Sequence, residues 1–403
     1  MSTTFPHPVT LPSRSELLAR SNGPTAYMAD CRSLVLEELR RLVPADRRYR
    51  KALYDLMLDY PMREAKALRP ALCIATCRAL GGSLEGVLQS AAVLELYHNA
   101  FLIHDDVEDD SEKRRDRQTL HREQGTPIAI NVGDAMLALA LTPLFDNMRL
   151  LGLGKALLIL KAVAEMARHT AEGQALELGW IRSGEWQLSD TDYLRMVHKK
   201  TSWYTFITPV VIGGLVAGTS AEQVGQLKRF AAALGSAFQI QDDVLNLSAD
   251  ELRYGKEING DLWEGKRTLV LLHALRNASA DERHAAHAIL ARARPSTSSE
   301  SPDRLRSLIQ ELSDAGDVSP RARLALEAAL GDQQARELKT EADVAFLLQL
   351  IRRSASLDYA RDIALRRAHR AQTLLNGLTR SMPRSIHRDF LIELVDFVVH
   401  RDH

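Results

Sequence analysis

Residues 94–110 read LELYHNAFLIHDDVEDD, an apolar helical run that ends in a group of carboxylates. At about 100° per residue, Asp105, Asp106 and Asp109 fall within an arc of roughly 100° on one helix. Like charges at this spacing destabilise a helix, so we expect a cation to lie against them. Because the preceding Phe101-Leu-Ile is apolar, the carboxylates are expected at the end of a core helix. For this segment taken alone, a solvated acidic helix end remains the alternative.

A second segment, FQIQDDVLN at residues 238–246, repeats the pattern. Asp242 and Asp243 again follow an apolar run, and Asn246 stands one turn later, where a third carboxylate would be expected. Oxygen ligands in this arrangement suit Mg²⁺, which usually keeps several waters and is completed by substrate phosphates. Two such helix ends facing each other predict a site for Mg²⁺.

Basic residues follow both acidic clusters and also form two further groups. They are Arg114, Arg115, Lys256, Lys266, Arg267, Lys66, Arg69, Lys199 and Lys200. Arginine presents a planar fork to phosphate oxygens and lysine a compact charge, so bases near bound Mg²⁺ predict a polyphosphate ligand. The sequence contains no Walker motif and no Gly-x-Gly-x-x-Gly. We therefore expect phosphate to be held by metal and side chains.

The rest of the chain predicts an all-α fold, a bundle of long helices around a central cavity. Only Pro127, Pro143 and Pro209 interrupt residues 71–294, and apolar residues recur there at three- and four-residue spacing. We expect residues 1–24 to be a disordered leader and residues 25–403 a single domain. Within it, residues 303–403 follow a Pro/Ser-rich break and form a helical C-terminal part whose packing the pattern leaves open.

Composition narrows the classes of function. The 403 residues carry 52 Lys+Arg and 52 Asp+Glu, so no net charge would draw the chain to nucleic acid. No run approaches the roughly 18 apolar residues of a membrane span, and the first 24 residues lack the apolar block of a secretory signal. We expect a cytoplasmic protein without a membrane span or a nucleic-acid partner.

Taken together and in order, these motifs resemble those of the trans-isoprenyl diphosphate synthases, the polyprenyl synthetase family. The resemblance covers roughly residues 66–268 and rests on several ordered motifs. They are Lys66-x-x-Arg69-Pro70, Glu95-x-x-His98, Asp105–Asp109, Arg114-Arg115, Asn131-x-Gly133-Asp134, Gly173-Gln174, Lys200-Thr201, Phe238-Gln239-x-x-Asp242-Asp243, Gly255-Lys256 and Gly265-Lys266-Arg267-Thr268. Two positions depart from the family pattern: Glu64-Ala65 replaces glycines, and Asn246 replaces an aspartate.

The resemblance implies the helical isoprenoid synthase fold and a head-to-tail prenyltransferase, which is a homodimer in this family. An allylic diphosphate would ionise, and isopentenyl diphosphate would capture the carbocation. Matching positions imply that Asp105, Asp109 and Asp242 are Mg²⁺ ligands supported by Asp106 and Asp243, and that Thr201 and Gln239 lie beside the cation. The allylic diphosphate would be held by Lys200, Lys256 and Arg114, and Lys266 would also contact substrate. Isopentenyl diphosphate would be held by Lys66, Arg69, His98 and Arg115.

Product length is approached through Phe101, which lies one turn, about 5.4 Å, below Asp105. Its ring would form the floor of the pocket, with the small Ala100 beside it. In the family that the chain resembles, one aromatic residue at these two positions implies a product of intermediate length, so we expect twenty carbons, with fifteen next. The first motif without an insertion and the DDxxN of the second are similar to geranylgeranyl diphosphate synthases of eukaryotic type. Two alternatives remain: a class I terpene cyclase of the same fold, and a catalytically silent subunit that regulates an active synthase.

Overall fold

The computed structural model describes residues 23–248, 258–294, 302–334 and 338–400. Nearly all of the expected leader, residues 1–22, lies outside the described residues, as does Lys256. The described chain is all-α, as predicted, with one short hairpin. Its α-helices are α1 Gly23–Leu42, α2 Asp55–Met62, α3 Leu68–Ala79, α4 Leu84–Glu108, α5 Leu120–Gln124, α6 Thr126–Leu139, α7 Leu141–Leu151, α8 Leu153–Ser183, α9 Asp190–Val197, α10 Thr208–Ala217, α11 Ala221–Ser248, α12 Gly260–Glu264, α13 Leu269–Arg276, α14 Ala280–Ala291, α15 Pro302–Asp314, α16 Pro320–Gln334, α17 Glu341–Arg353, α18 Ser356–Thr379 and α19 Ile386–His400.

The long helix α4 is part of the core, and 17 of its 25 residues are buried. Ser83 caps its first turn by accepting a hydrogen bond from the Gly86 backbone N–H at 3.1 Å. From there α4 packs against α1, α3 and α6, and only its last turn reaches a cavity. The acidic residues at that end are therefore carried by a core helix, as the apolar residues before them predict.

Two π-helical segments interrupt the α-helices, at Arg50–Tyr54 and at His198–Ile207. The second, called here the π-segment, connects α9 to α10 and packs between α8 and α11. Glycines on both neighbouring helices permit this close approach. A Cβ atom on Gly173 of α8 would lie 2.2 Å from the Lys200 backbone nitrogen, and a Cβ atom on Gly235 of α11 would lie 2.7 Å from Ser202 Oγ. A π-helical stretch inside helical structure is uncommon and is frequent at functional sites.

A two-residue hairpin follows α4. Strands β1, Lys113–Arg114, and β2, Arg117–Gln118, pair antiparallel, and the turn residues Arg115 and Asp116 have φ of 53° and 60°. Two positive φ angles in a two-residue turn define the type I′ geometry that Asn-Gly favours. No such dipeptide marks this turn in the sequence. Hydrogen bonds to the preceding α2 region hold it instead: Arg115 Nη1 donates to Tyr60 O at 2.7 Å, and Arg63 Nη1 donates to Arg114 O at 2.9 Å.

The C-terminal helices lie against the rest of the chain. Helix α18 runs along α11, and α19 packs against α3, α1 and α18, while α15 and α16 pack against each other. Lys339, just before α17, donates hydrogen bonds to Leu262 O at 2.9 Å and Trp263 O at 2.6 Å. The tail thus holds the short helix α12, which lines the cavity described below.

One helical stretch, Thr126–Leu151, is long and apolar enough by composition to cross a membrane. Its most apolar 18 consecutive residues have a mean hydropathy of 1.7, and 39% of them are buried. A single stretch of this kind is weak evidence for a span, because a core helix passes the same test.

Candidate active site

The two acidic helix ends meet in one cavity of about 520 Å³. Asp105 and Asp109 reach it from the end of α4, and Asp242 and Asp243 from the end of α11. The same cavity is lined by Arg114, Arg115, Lys200, Thr201, Gln239, Asn246 and Lys266. Most of the residues singled out by spacing and order in the sequence therefore converge in space.

Lysines lie against the first acidic cluster. Lys200 Nζ is 3.3 Å from Asp105 Oδ1, and Lys266 Nζ is 2.9 Å from Asp109 Oδ2. Each lysine also pairs with a further carboxylate, Lys200 with Glu177 and Lys266 with Glu264. Two guanidinium groups join this network of carboxylates and ammonium groups: Arg114 lies 3.8 Å from Asp105, and Arg294 lies 3.9 Å from Glu264.

The pKa values of the two aspartates in this network shift in opposite directions. Burial, together with repulsion from Asp105 and Glu264, raises the pKa of Asp109 to about 7, against the opposing effect of Lys266. Burial also opposes ionisation of Asp105, but Lys200, Lys266 and Arg114 together hold its pKa well below the usual range. A further cation beside these carboxylates would stabilise their charged forms.

Asp106 faces away from the cavity and organises its wall. It is fully buried, and its carboxylate accepts hydrogen bonds from the Tyr60 hydroxyl at 2.6 Å and from Arg114 Nε at 2.9 Å. Arg114 is also 3.8 Å from Asp105. Asp106 therefore links α4 to α2 and to the hairpin that carries Arg114 and Arg115.

Asp243 has the corresponding arrangement in the second cluster. The Tyr193 hydroxyl donates to Asp243 Oδ2 at 2.6 Å, and Gln239 Nε2 donates to Oδ1 at 2.8 Å. Thr201 Oγ1 in turn donates to Gln239 Oε1 at 2.9 Å. Because the Thr201 hydrogen is used in this bond, the lone pairs of its oxygen remain available at the cavity.

Asn246 stands where the family pattern has an aspartate, and its side chain accepts a hydrogen bond from a backbone N–H group. Its Oδ1 accepts a hydrogen bond from the Asp261 N–H at 3.2 Å, and its carbonyl oxygen accepts one from the Asn259 N–H at 2.9 Å. These bonds connect the end of α11 to the start of α12. Asp261 itself lines the cavity, so a carboxylate from α12 lies near the place where the motif lacks one.

A second group of basic residues converges on Tyr204. Arg69 stacks over its ring at 4.3 Å and donates to Thr205 Oγ1 at 2.8 Å, and the His98 ring lies 6.0 Å from that of Tyr204. Burial, together with the nearby charges of Arg114 and Arg69, lowers the pKa of Arg115 to about 10, although Glu95 opposes the shift. Lys66 is exposed, at the loop before α3.

The predicted chain-length residues lie behind the wall rather than on it. Ala100 is fully buried, and neither it nor Phe101 is among the described residues that line the cavity. Tyr204 and Leu102 are lining residues, and Phe101 packs edge-on against Tyr204 with ring centres 5.8 Å apart. Tyr97, one turn further from Asp105, packs against Phe101, also at 5.8 Å.

Sequence reasoning missed several cavity residues, among them Glu177, Tyr193, Tyr204, Asp261 and Glu264. Isolated carboxylates and tyrosines in separate segments of the chain carry no spacing signal that links them to the acidic motifs. Only Glu177 had a local cue, because it lies one helical turn after Gly173, the position where α8 meets the π-segment.

The donor set fits a hard divalent cation. Carboxylate oxygens are the ligands that Mg²⁺ prefers, and Asp105, Asp109 and Asp242 all line one cavity. Among the described residues, no three acidic, histidine or cysteine side chains are close enough to hold a metal ion by themselves. This is compatible with an ion held by one or two carboxylates and completed by water and phosphate.

Known proteins resemble this chain in both sequence and structure. The polyprenyl synthetase family profile matches residues 50–309. A short chain isoprenyl diphosphate synthase of Methanocaldococcus jannaschii is 34% identical over 61% of this chain and 72% of its own length. An octaprenyl diphosphate synthase of Escherichia coli is 33% identical over 54% of this chain and 64% of its own length.

Two solved structures share the fold. Geranylgeranyl pyrophosphate synthetase of Pyrococcus horikoshii has a TM-score of 0.73 and 26% identity, covering 93% of this chain and 98% of its own. A polyprenyl synthase of Caulobacter crescentus, complexed with calcium and isoprenyl diphosphate, has a TM-score of 0.68 and 28% identity, covering 97% and 98%. The chain therefore belongs to the polyprenyl synthetase family and is a prenyltransferase enzyme of the isoprenyl diphosphate synthase type.

Proposed function

We propose that this enzyme condenses isopentenyl diphosphate with an allylic diphosphate, head to tail, and that its main product is geranylgeranyl diphosphate. One observation carries the reaction: carboxylates from α4 and α11 line a single cavity together with lysines and arginines. Such a cavity can bind a diphosphate and stabilise the charge that develops on it as it departs.

Asp105, Asp109 and Asp242 are the proposed Mg²⁺ ligands. When bound, Mg²⁺ would supply positive charge to the departing diphosphate. Lys200, Lys266 and Arg114 line the same cavity and would hold the remaining phosphate oxygens. Their charges stabilise the leaving group more as the carbon–oxygen bond breaks than before, so they favour ionisation of the substrate. Lys256 remains a predicted member of this group, outside the described residues.

Thr201 and Gln239 are proposed to stabilise the allylic cation. The hydrogen-bond chain from Tyr193 through Asp243 and Gln239 to Thr201 orients the Thr201 oxygen. That oxygen can present electron density to a cation without acting as a nucleophile, because the hydroxyl hydrogen is held by Gln239.

Arg69, His98 and Arg115, with Lys66, are proposed to bind isopentenyl diphosphate. Arg69 and His98 meet at Tyr204, which lines the same cavity as the acidic clusters, and Arg69 acts electrostatically on Arg115. A second basic group supports an enzyme with two diphosphate substrates. A cyclase that ionises one diphosphate would not need it.

The reaction is tested with purified protein, Mg²⁺, isopentenyl diphosphate and each allylic primer in turn, with products sized by chromatography. We expect a linear twenty-carbon diphosphate that forms only when both substrates and Mg²⁺ are present. A cyclic hydrocarbon from one diphosphate would establish the cyclase instead. Absence of any turnover with every primer would favour the silent regulatory subunit.

Product length is proposed to depend on a series of aromatic rings that pack edge-on against one another below Asp105. Phe101 and Tyr97 lie at successive helical turns of α4, and Phe101 supports Tyr204 on the cavity wall. We expect Phe101→Ala to open the floor as far as Tyr97 and to lengthen the main product by at least one five-carbon unit.

Tyr97→Ala is the matched control, because Phe101 still supports Tyr204 on the cavity wall in that variant. Its products should equal those of the wild type, whereas the double variant should make longer products than Phe101→Ala alone. An unchanged product distribution in all three variants would refute the proposed floor.

We also propose that the enzyme is a homodimer that associates through α6, α7 and the start of α8. Nine of the sixteen exposed large apolar side chains among the described residues lie there: Ile128, Ile130, Leu141, Phe145, Met148, Leu150, Leu153, Leu157 and Leu158. An exposed apolar surface of this kind indicates a protein or membrane contact. It also overlaps the apolar stretch at Thr126–Leu151.

A further inference from the structure

A second cavity of about 520 Å³ lies between α9, α11 and α18. It shares no lining residue with the active-site cavity. Helix α9 separates the two: Tyr193 and Met196 face the active site, whereas Leu194 and Arg195 face the second cavity. The residues around this second cavity have no place in the proposed reaction.

Four guanidinium groups line the second cavity: Arg195 from α9, Arg229 from α11, and Arg367 and Arg370 from α18. Arg195 lies 3.6 Å from Asp192, at an exposed position. For the other three, no carboxylate of a described residue lies within ion-pair distance. The cavity therefore carries an excess of positive charge that side chains of the described chain do not neutralise.

The remaining lining is largely apolar, with Leu194, Ala233 and Leu374 between the arginines. A volume of this size is typical of small-molecule sites, which combine an apolar surface with a few charged groups. Arginine forks match phosphate oxygens in bidentate geometry. A ligand that satisfies both surfaces carries phosphate at one end and an apolar group at the other.

We propose that this arginine-lined cavity is a binding site for an amphiphilic phosphate. Its phosphate would contact Arg229, Arg367 and Arg370, and its apolar part would lie against Leu194 and Leu374. A soluble amphiphile and a phospholipid headgroup share this chemistry. The cavity is a groove between three helices that opens to solvent, so either source can reach it and the test below distinguishes them.

The test is isothermal titration calorimetry on the full chain in EDTA, which removes metal-dependent binding of phosphate at the active site. The probes are dodecyl phosphate below its micellar concentration and inorganic diphosphate. We expect Arg367→Ala/Arg370→Ala to bind both probes at least tenfold more weakly. Leu374→Gln should weaken binding of dodecyl phosphate alone.

Arg361→Ala/Arg366→Ala is the matched control, since it removes two arginines of α18 that do not line the cavity. Its affinity for both probes should stay within twofold of the wild-type value, and all variants should keep the wild-type melting temperature and turnover number. Equal losses in both double variants, or no binding to the wild type, would overturn the proposal. A parallel titration with vesicles that contain phosphatidic acid distinguishes the two sources: binding to the vesicles without binding to dodecyl phosphate would identify a phospholipid headgroup as the ligand, and the reverse a soluble amphiphile.

Discussion

Two buried tyrosines hold the second aspartate of each acidic motif. Tyr60 donates to Asp106 and Tyr193 to Asp243, each at 2.6 Å. Both aspartates are thereby turned toward protein donors, which leaves Asp105, Asp109 and Asp242 as the proposed ligands. The neighbouring aspartates of each motif thus differ in environment despite being adjacent in the chain.

Tyr193→Phe should remove one hydrogen bond to a buried carboxylate at a cost of roughly 1–3 kcal/mol in the free energy of unfolding. Because Asp243 orients Gln239 and, through it, Thr201, we expect turnover to fall about tenfold, a barrier increase of roughly 1.4 kcal/mol. Chemical denaturation and steady-state kinetics measure the two effects.

Tyr97→Phe serves as the control, because the Tyr97 hydroxyl makes no hydrogen bond to a described residue. Its stability and turnover should match those of the wild type. If Tyr97→Phe and Tyr193→Phe lost turnover equally, the orienting role of the Asp243 hydrogen bonds would be disproved.

His387 is expected to make stability depend on pH. Its Nδ1 lies 2.7 Å from the Tyr27 hydroxyl, between α19 and α1, and burial with the nearby Arg78 lowers the pKa of His387 to about 4. The unfolded chain, with a histidine pKa of about 6.5, then binds the extra proton first. Stability is therefore retained above pH of about 6.5 and is lost as the pH falls toward 4.

Between pH values of about 6.5 and about 4, we expect the free energy of unfolding of His387→Gln to fall by roughly 1–2 kcal/mol less than that of the wild type. This is about half of the value that the full pKa shift would give, because the ring is partly solvated. Urea denaturation at a series of pH values measures the difference. Parallel curves for the two proteins would show that His387 does not contribute.

At the scale of elements, the position of the π-segment depends on the absence of a side chain on α8. A Cβ on Gly173 would lie 2.2 Å from the Lys200 nitrogen and 2.6 Å from its Cα. Since both contacts are to backbone, no side-chain rotation can relieve them. We expect Gly173→Ala to displace Lys200 and to destabilise the protein by about 1–3 kcal/mol, with a clear loss of turnover.

Gly179, two turns later on the same helix, provides the comparison. A Cβ there would meet no atom within 4 Å. Gly179→Ala should stabilise the helix by roughly 0.5–1 kcal/mol, because alanine has the higher helix propensity, and should preserve activity. Thermal unfolding and kinetics of both variants test the argument, and a neutral Gly173→Ala would contradict it.

At the scale of the whole molecule, the apolar surface on α6 to α8 should govern association. Leu157→Glu places a charge in it, at a side chain that is 53% exposed. We expect this variant to shift the wild-type dimer toward monomer, as measured by light scattering coupled to size-exclusion chromatography.

Leu324→Glu on α16, where the side chain is 72% exposed, controls for added charge at a distant apolar position. It should remain dimeric. A monomeric wild type, or dissociation of both variants alike, would disprove the proposed interface.

Sequence alone predicted the all-α fold and the family, because helical periodicity and ordered motifs are local properties of the chain. The acidic clusters and most of their basic partners could be found for the same reason, since each motif contains its functional residues within one or two helical turns. The predicted leader, Lys256 and the roles of individual site residues remain predictions.

Only the tertiary structure determined how residues from distant segments share one site. Glu177, Tyr193, Asp261 and Glu264 reach the cavity from three other helices or their ends, and no spacing along the chain links them to Asp105. Likewise, Phe101, the predicted pocket floor, is not among the described residues that line the cavity, and its ring packs against Tyr204, which approaches from the π-segment. Such contacts depend on how helices pack, whereas periodicity reports only which face of each helix is buried.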